Sequence, residues 1–265
     1  MEIVPDRWGA GTTYERFMGR WSRRLAPQFV DWMEIPGGQH WLDVGCGTGA
    51  LTRAICERAE PASVTGCDPN ELFVQHARDA LPDERAAFVR AGVGSLPPRE
   101  GGYGGIASLL ALNFFPDARA AIGEMRALAA TGGVISACVW DYAEGMQFLR
   151  IFWDAAIRVD PTASKYDEGS RFAVCTRDGL AGLFREAGLA EVRCEGLEIP
   201  TVFAGFEDYW RPFLGGTGSG PSYVATLDEK HRGRLAQALE QALPREADGS
   251  IALTARAWAA RGTVG

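Results

Sequence analysis

The sequence predicts an α/β protein built on a mostly parallel sheet, and two observations carry that expectation. Between Trp41 and about Tyr142, short apolar runs alternate with stretches of helical spacing, the pattern of strands joined by crossover helices. The first of these runs, HWLDVG, breaks into the glycine-rich turn GCGTG, which opens a helix. The composition agrees: 46% hydrophobic and 23% charged residues in a 265-residue chain are values of a globular protein with a sizeable core.

Taken in order, TYERFMGRWSRRLAPQFVDWM reads as a helix-rich, aromatic arm ahead of the sheet. HWLDVG and SVTGCD are buried strands, and ALTRAICERA and ELFVQHARDAL have helical spacing. AAFVR is a third strand and GIASLLAL a fourth. DARAAIGEMRALAATGG reads as a helix with Asp117 near its start and a glycine pair at its end, and GVISACVW as the fifth strand. FLRIFWDAAIRV is an amphipathic helix, and DGLAGLFREAGL a helix closed by Gly188. AEVRCEGLEIP and SIALTARAWAA read as strands on either side of a long polar and aromatic stretch, Thr201–Pro244, in which GGTGSGPS is the flexible loop.

The glycine turn carries the chemistry. Gly45, Gly47 and Gly49 turn the chain from strand to helix and let a ligand approach the backbone closely, and the helix start offers unpaired N–H groups. Asp68, about twenty residues further on, closes the second strand, where a carboxylate accepts from ribose hydroxyls. These residues also satisfy the dinucleotide fingerprint, with Ala50 as its last small residue. Asp43 discriminates: a carboxylate ahead of the first glycine repels a pyrophosphate and attracts an ammonium group, which favours S-adenosylmethionine over NAD.

The net charge of −7 argues against nucleic acid or an anionic membrane as the main partner. Six cysteines without a CxxC pair exclude zinc-ligand spacing and suit buried thiols in a reducing compartment. The sequence has no secretory pattern and no apolar stretch of membrane-spanning length, so a cytoplasmic protein without membrane insertion is expected, as a monomer or homodimer. His40, His76 and His231 read as structural or exposed residues rather than bases, and DEKHRGR as a solvated helix face. Ligands of open α/β sheets sit at the carboxyl ends of strands, which directs attention to Asn113 and Phe114 after the fourth strand and to Trp140, Asp141 and Tyr142 after the fifth. Asp141 is equally a base and a helix cap on this reading.

The chain resembles the class I S-adenosylmethionine-dependent methyltransferases, and within them the ubiquinone/menaquinone-biosynthesis type of small-molecule enzyme. LDVGCGTG matches the first motif of that family, GCDPN its acidic second motif, SLLALNFFPD its fourth strand and following loop, and EMRALAATGGVI its next helix, turn and fifth strand. YERFMGRWS resembles the arm that closes over the methionine end of the cofactor. The resemblance implies a Rossmann-like seven-stranded sheet of order 3-2-1-4-5-7-6 with strand 7 antiparallel, a helical N-terminal arm and helical lid insertions. It divides the single domain into an arm (1–38), a cofactor-binding core (39–142), lid or substrate insertions (143–178 and 201–247) and the C-terminal part of the sheet (179–200 and 248–265). The implied cofactor set is Tyr14, Arg20, Asp43, Gly45, Cys46, Gly47, Gly49, Asp68, Pro69, Gly92, Val93 and Leu110, with Asp141, Tyr142 and Asn113 as catalytic candidates and no metal. Where the family commonly has Gly-Asp-Ala after strand three, this chain reads RAGVGSLPP, and Val93 stands about where the aspartate would accept from the adenine amino group. Adenine is then held by backbone and apolar contacts, or affinity has fallen. The implied reaction is methyl transfer by in-line displacement to a small apolar or aromatic acceptor, with alignment as the main catalytic effect. A NAD-dependent oxidoreductase and a non-catalytic S-adenosylmethionine- or nucleotide-binding protein are the alternatives.

Overall fold

The computed structural model describes residues 15–215 and 218–265. A π-helical turn, Glu15–Gly19, precedes α1 (Arg20–Met33). There follow β1 (His40–Val44), α2 (Ala50–Arg58), β2 (Ser63–Asp68), α3 (Glu71–Ala80), β3 (Ala86–Arg90), β4 (Tyr103–Leu109), α4 (Ala118–Leu128) and β5 (Ala129–Trp140). The chain continues through α5 (Gln147–Val159), α6 (Arg177–Glu186), β6 (Ala190–Phe203), α7 (Phe206–Trp210), α8 (Ser219–Thr226), α9 (Glu229–Ala242) and β7 (Ile251–Thr263). The seven strands form one sheet of order β3-β2-β1-β4-β5-β7-β6, parallel from β3 to β5, with β7 antiparallel to β5, as the resemblance implies.

The chain divides into two compact units. The sheet unit comprises Trp21–Trp140, Ala173–Leu197 and Ala257–Gly265. Its core follows from the apolar runs: Trp41, Leu42 and Val44 of β1, Val64 and Cys67 of β2, Ile106 of β4 and Ile135–Val139 of β5 are buried. Strands buried on both faces read as near-continuous hydrophobic runs, which is why they stand out in the sequence. α1 buries one stripe, Trp21, Leu25, Phe29, Val30 and Met33. Several helices start at side-chain caps. Asn70 accepts from Leu72 N–H, Asp117 from Ala120 N–H and Thr176 from Gly179 N–H. Gly188, at φ +75°, follows the end of α6.

The second unit comprises residues up to Arg20, Asp141–Phe172 and Glu198–Arg256. Its core is aromatic. Phe152 stacks on Phe213 with centroids 4.2 Å apart, Phe17 meets Phe213 edge-on at 5.3 Å, and the buried Tyr209 donates its hydroxyl to Phe148 O at 2.8 Å. Arg20 pairs with Asp208 at 2.9 Å and lies 4.6 Å over the Phe203 ring. α9 packs on α5 and buries Leu235 and Leu239.

Two local expectations are corrected. α4 ends at Leu128 rather than at the glycine pair, because Ala129 already pairs with Tyr103 as β5 begins. Gly132 and Gly133 instead accompany a register shift in the β4–β5 ladder, and Gly132 has φ +74°. In GGTGSGPS, Ser219 opens α8, and Ser219, Gly220 and Pro221 are buried, so that part is helix rather than loop; Gly216 and Thr217 lie outside the described residues. The unit boundary at Arg20 and Trp21 is a separate observation, which leaves the division into arm, core and insertions an expectation.

Candidate functional site

The site is built where β1 runs into α2. Gly45, Gly47 and Gly49 all have positive φ, at +74°, +51° and +87°, which suits glycine. Their reasons differ. A Cβ on Gly45 would stand 2.6 Å from Ala111 Cβ, and one on Gly49 3.3 Å from Ala77 Cβ, so these two are demanded by the protein's own packing. A Cβ on Gly47 would meet nothing within 4 Å. The side of the loop at Gly47 is open, as a ligand cradle requires.

The loop is tied to β2. Gly45 N–H and Cys46 N–H both donate to Cys67 O, at 2.8 and 2.9 Å. Gly47 N–H donates to Asp68 Oδ2 at 3.1 Å, and Asn70 N–H to Asp68 Oδ1 at 2.8 Å. Asp68 therefore shapes the loop as well as closing the strand, and each oxygen keeps a further lone pair for a ligand. Burial raises its pKa, opposed by the Asn70 and Gly47 N–H groups. The adjacent Pro69 is exposed, and its carbonyl accepts from Arg90.

Asp43 lies beneath the loop with no exposed surface. Its Oδ2 accepts from Thr52 Oγ1 at 2.7 Å, while its buried Oδ1 has no hydrogen-bond partner. Burial pushes its pKa up to about 7, against the Thr52 bonds. Direct contact between Asp43 and a ligand requires the loop to move, and in this conformation its charge acts only through space. Cys46 is buried, packed with Val74, Ala77 and Phe88, and burial raises its thiol pKa well above the ordinary value.

After β3, the segment around Gly92 and Val93 is held by Glu124 of α4, whose carboxylate accepts from Gly94 N–H at 2.6 Å and Leu96 N–H at 2.8 Å. After β4, Leu110 takes φ +60°, a strained conformation for leucine, and its N–H donates to Cys138 O at 2.7 Å. Asn113, in the following 3₁₀ turn, is buried, and its Nδ2 lacks a partner.

The structure thus brings Asp43, Gly45, Cys46, Gly47, Gly49, Asp68 and Pro69 together around one loop, with Gly92, Val93, Leu110 and Asn113 at the ends of the neighbouring strands. Arg20, Asp141 and Tyr142 fall in the other unit. Arg20 is committed to Asp208, and Tyr142 packs 5.8 Å from Phe172. Asp141 accepts from Arg256 Nε at 2.8 Å, from Nη2 at 2.5 Å and from Glu144 N–H, so both its oxygens are engaged within the protein. Tyr14 lies outside the described residues. Thr52, Glu124 and Arg256 escaped the sequence reading. An arginine within the apolar run of β7 signalled a buried partner, whereas nothing local marked Glu124.

Among the described residues no His, Cys, Asp or Glu cluster could hold a metal, and no helix is long and apolar enough to cross a membrane. Residues 42–133 match the family described as a methyltransferase domain. The chain is 29% identical over 113 residues to trans-aconitate 2-methyltransferase of Variovorax paradoxus, covering 43% of each protein. It is 27% identical over 234 residues to malonyl-[acyl-carrier protein] O-methyltransferase of Halorhodospira halophila, covering 84% of this chain and 75% of that one. The match therefore spans less than half of the first enzyme and three quarters of the second. Among solved structures, phosphoethanolamine N-methyltransferase 2 of Haemonchus contortus, in complex with phosphomonomethylethanolamine and S-adenosylhomocysteine, shares the fold with a TM-score of 0.58 at 12% identity, over 96% of this chain and 56% of that one. The glycine loop thus lies within the matched methyltransferase domain, on a sheet whose fold is shared with the solved methyltransferase.

Proposed function

We propose that the chain transfers a methyl group from S-adenosylmethionine to a small acceptor of apolar or aromatic character. The observation that carries this reading is the open side of the loop at Gly47, bounded by the Asp68 carboxylate. Asp68 would hold the ribose hydroxyls with its remaining lone pairs, and Gly47 would leave room for the amino-acid moiety. S-adenosylmethionine, when bound, supplies an electrophilic methyl on a sulfonium. The chain's own residues orient the partners and exclude water, which is enough for an in-line displacement. No general base is assigned. The unit built on the aromatic core of Phe17, Phe148, Phe152, Tyr209 and Phe213 serves acceptor recognition on this reading, those rings supplying its rigid packing. Six buried cysteines, none of them in a disulfide, support a cytoplasmic setting.

Calorimetric titration with S-adenosylmethionine, S-adenosylhomocysteine and NAD tests the cofactor. Both adenosyl ligands should bind and NAD should not; binding of NAD alone would overturn the reading. Transfer of labelled methyl to a panel of phenols, carboxylic acids and amines then tests activity and acceptor class, and turnover confined to charged, non-aromatic acceptors would refute the acceptor assignment.

A further inference from the structure

We infer that the purine of the cofactor is held without any side chain reading its 6-amino group, and that Gly92 is the position that leaves the group unread. The inference rests on the proposed placement of the ribose at Asp68. With the ribose at the end of β2, the base extends to the ends of β2 and of its outer neighbour β3, where Ala91–Leu96 follow.

Most N–H groups of that segment, and its one side-chain hydroxyl, are engaged within the protein. Ala91 N–H donates to Asp68 O at 3.2 Å. Ser95 N–H donates to Gly92 O at 2.9 Å, and the Ser95 hydroxyl, which also accepts from Gly92 N–H, donates to the same carbonyl at 3.1 Å. Gly94 N–H and Leu96 N–H are both engaged by Glu124. No acidic side chain occurs between Ala91 and Pro98. What the segment offers a base is backbone carbonyl and apolar side chain, in a loop held by Glu124.

Gly92 has ordinary backbone angles, unlike the glycines of the β1 turn. A Cβ there would lie 3.5 Å from Pro69 Cβ, an ordinary contact, directed to the residue that follows Asp68. The backbone thus has room for a side chain pointing to the ribose side of the crevice, and the sequence leaves it out. The Cβ of an aspartate at 92 is accommodated at ordinary contact distance, and its carboxylate would supply an acceptor that the segment lacks. A hydrogen bond to an ionised carboxylate changes affinity by roughly ten- to a hundredfold, so its absence and its installation are both measurable.

The full chain is titrated by calorimetry with S-adenosylhomocysteine and with its 6-deamino analogue, in which unsubstituted purine replaces adenine and N1 remains an acceptor. The native chain should bind the two within about fivefold, and Gly92→Asp should raise the preference for the amino form to tenfold or more. Val93→Asp, at the neighbouring position, is the second variant should Gly92→Asp fail to give a native circular-dichroism spectrum. A native chain that prefers the amino form by more than about fivefold overturns the inference, as does a folded aspartate variant with no added preference. Failure of the native chain to bind S-adenosylhomocysteine at all defeats the cofactor assignment instead.

Discussion

Two aspartates stand near the carboxyl ends of strands, Asp43 in β1 and Asp141 just after β5, and their surroundings are opposite. Asp141 sits against the Arg256 guanidinium and a backbone N–H. Asp43 has Thr52 on one oxygen, nothing on the other, and no cation within ion-pair distance among the described residues. The first carboxylate is balanced by the protein itself. The second is buried at a cost, and such groups gather at functional sites because the uncompensated charge is useful to a ligand. The difference separates a carboxylate neutralised by Arg256 from one left without a cation beneath the glycine loop, although both were candidates for function on sequence alone.

The comparison can be broken most severely at Gly47. Gly47→Val should weaken S-adenosylhomocysteine binding by more than a hundredfold in calorimetry, while thermal melting shows a folded protein destabilised by only about 1–2 kcal/mol from the left-handed backbone. Asp68→Ala removes both the ribose acceptor and two backbone anchors. Binding should fall by roughly thirty- to a hundredfold, about 2–3 kcal/mol, with a loss of stability in denaturant titration that Asp68→Asn partly restores. Arg256→Ala leaves Asp141 buried and unpaired. Because Arg256 is about a third exposed, the loss should be about 2 kcal/mol rather than the larger figure of a fully buried pair, and cofactor affinity should be unchanged.

The pH dependence of stability tests Asp43 itself. Its folded pKa of about 7 lies above the ordinary 3.8, so between these values the folded chain retains a proton that the unfolded chain releases. The contribution of this group to stability is therefore full below pH 3.8 and is lost as pH rises through about 7. Asp43→Asn should flatten that part of the stability profile. An unchanged slope would show that the group is not buried as an isolated acid.

The sheet was legible because its strands are continuous apolar runs ended by glycine or aspartate, and β2 and β3 match the runs SVTGCD and AAFVR residue for residue. The glycine loop was legible for the same local reason. What escaped depends on pairing across the chain. β5 begins at Ala129 only because Tyr103 is there to pair with it, and the glycines beyond it imitate a helix stop. The helix at Ser219 hides in a string of loop-forming residues, whose small size instead lets Phe213 and Phe152 pack at Gly220. Arg256 meets Asp141 across a separation of roughly 115 residues, and Glu124 reaches Gly94 from another helix; no window of sequence contains either pair.

The antiparallel seating of β7 also bears on how the chain leaves the ribosome. Val134–Trp140 lie between Ser108 and its neighbours on one side and Ala257–Thr263 on the other, yet the second partner is synthesised roughly 120 residues later. At common elongation rates that interval is on the order of ten seconds. Throughout it, VISACVW presents an unpaired apolar edge, the feature that recruits other nascent strands. Expression yield should therefore respond more to a charge placed at the β5 edge, or to chaperone supply, than to changes of similar thermodynamic size in α9.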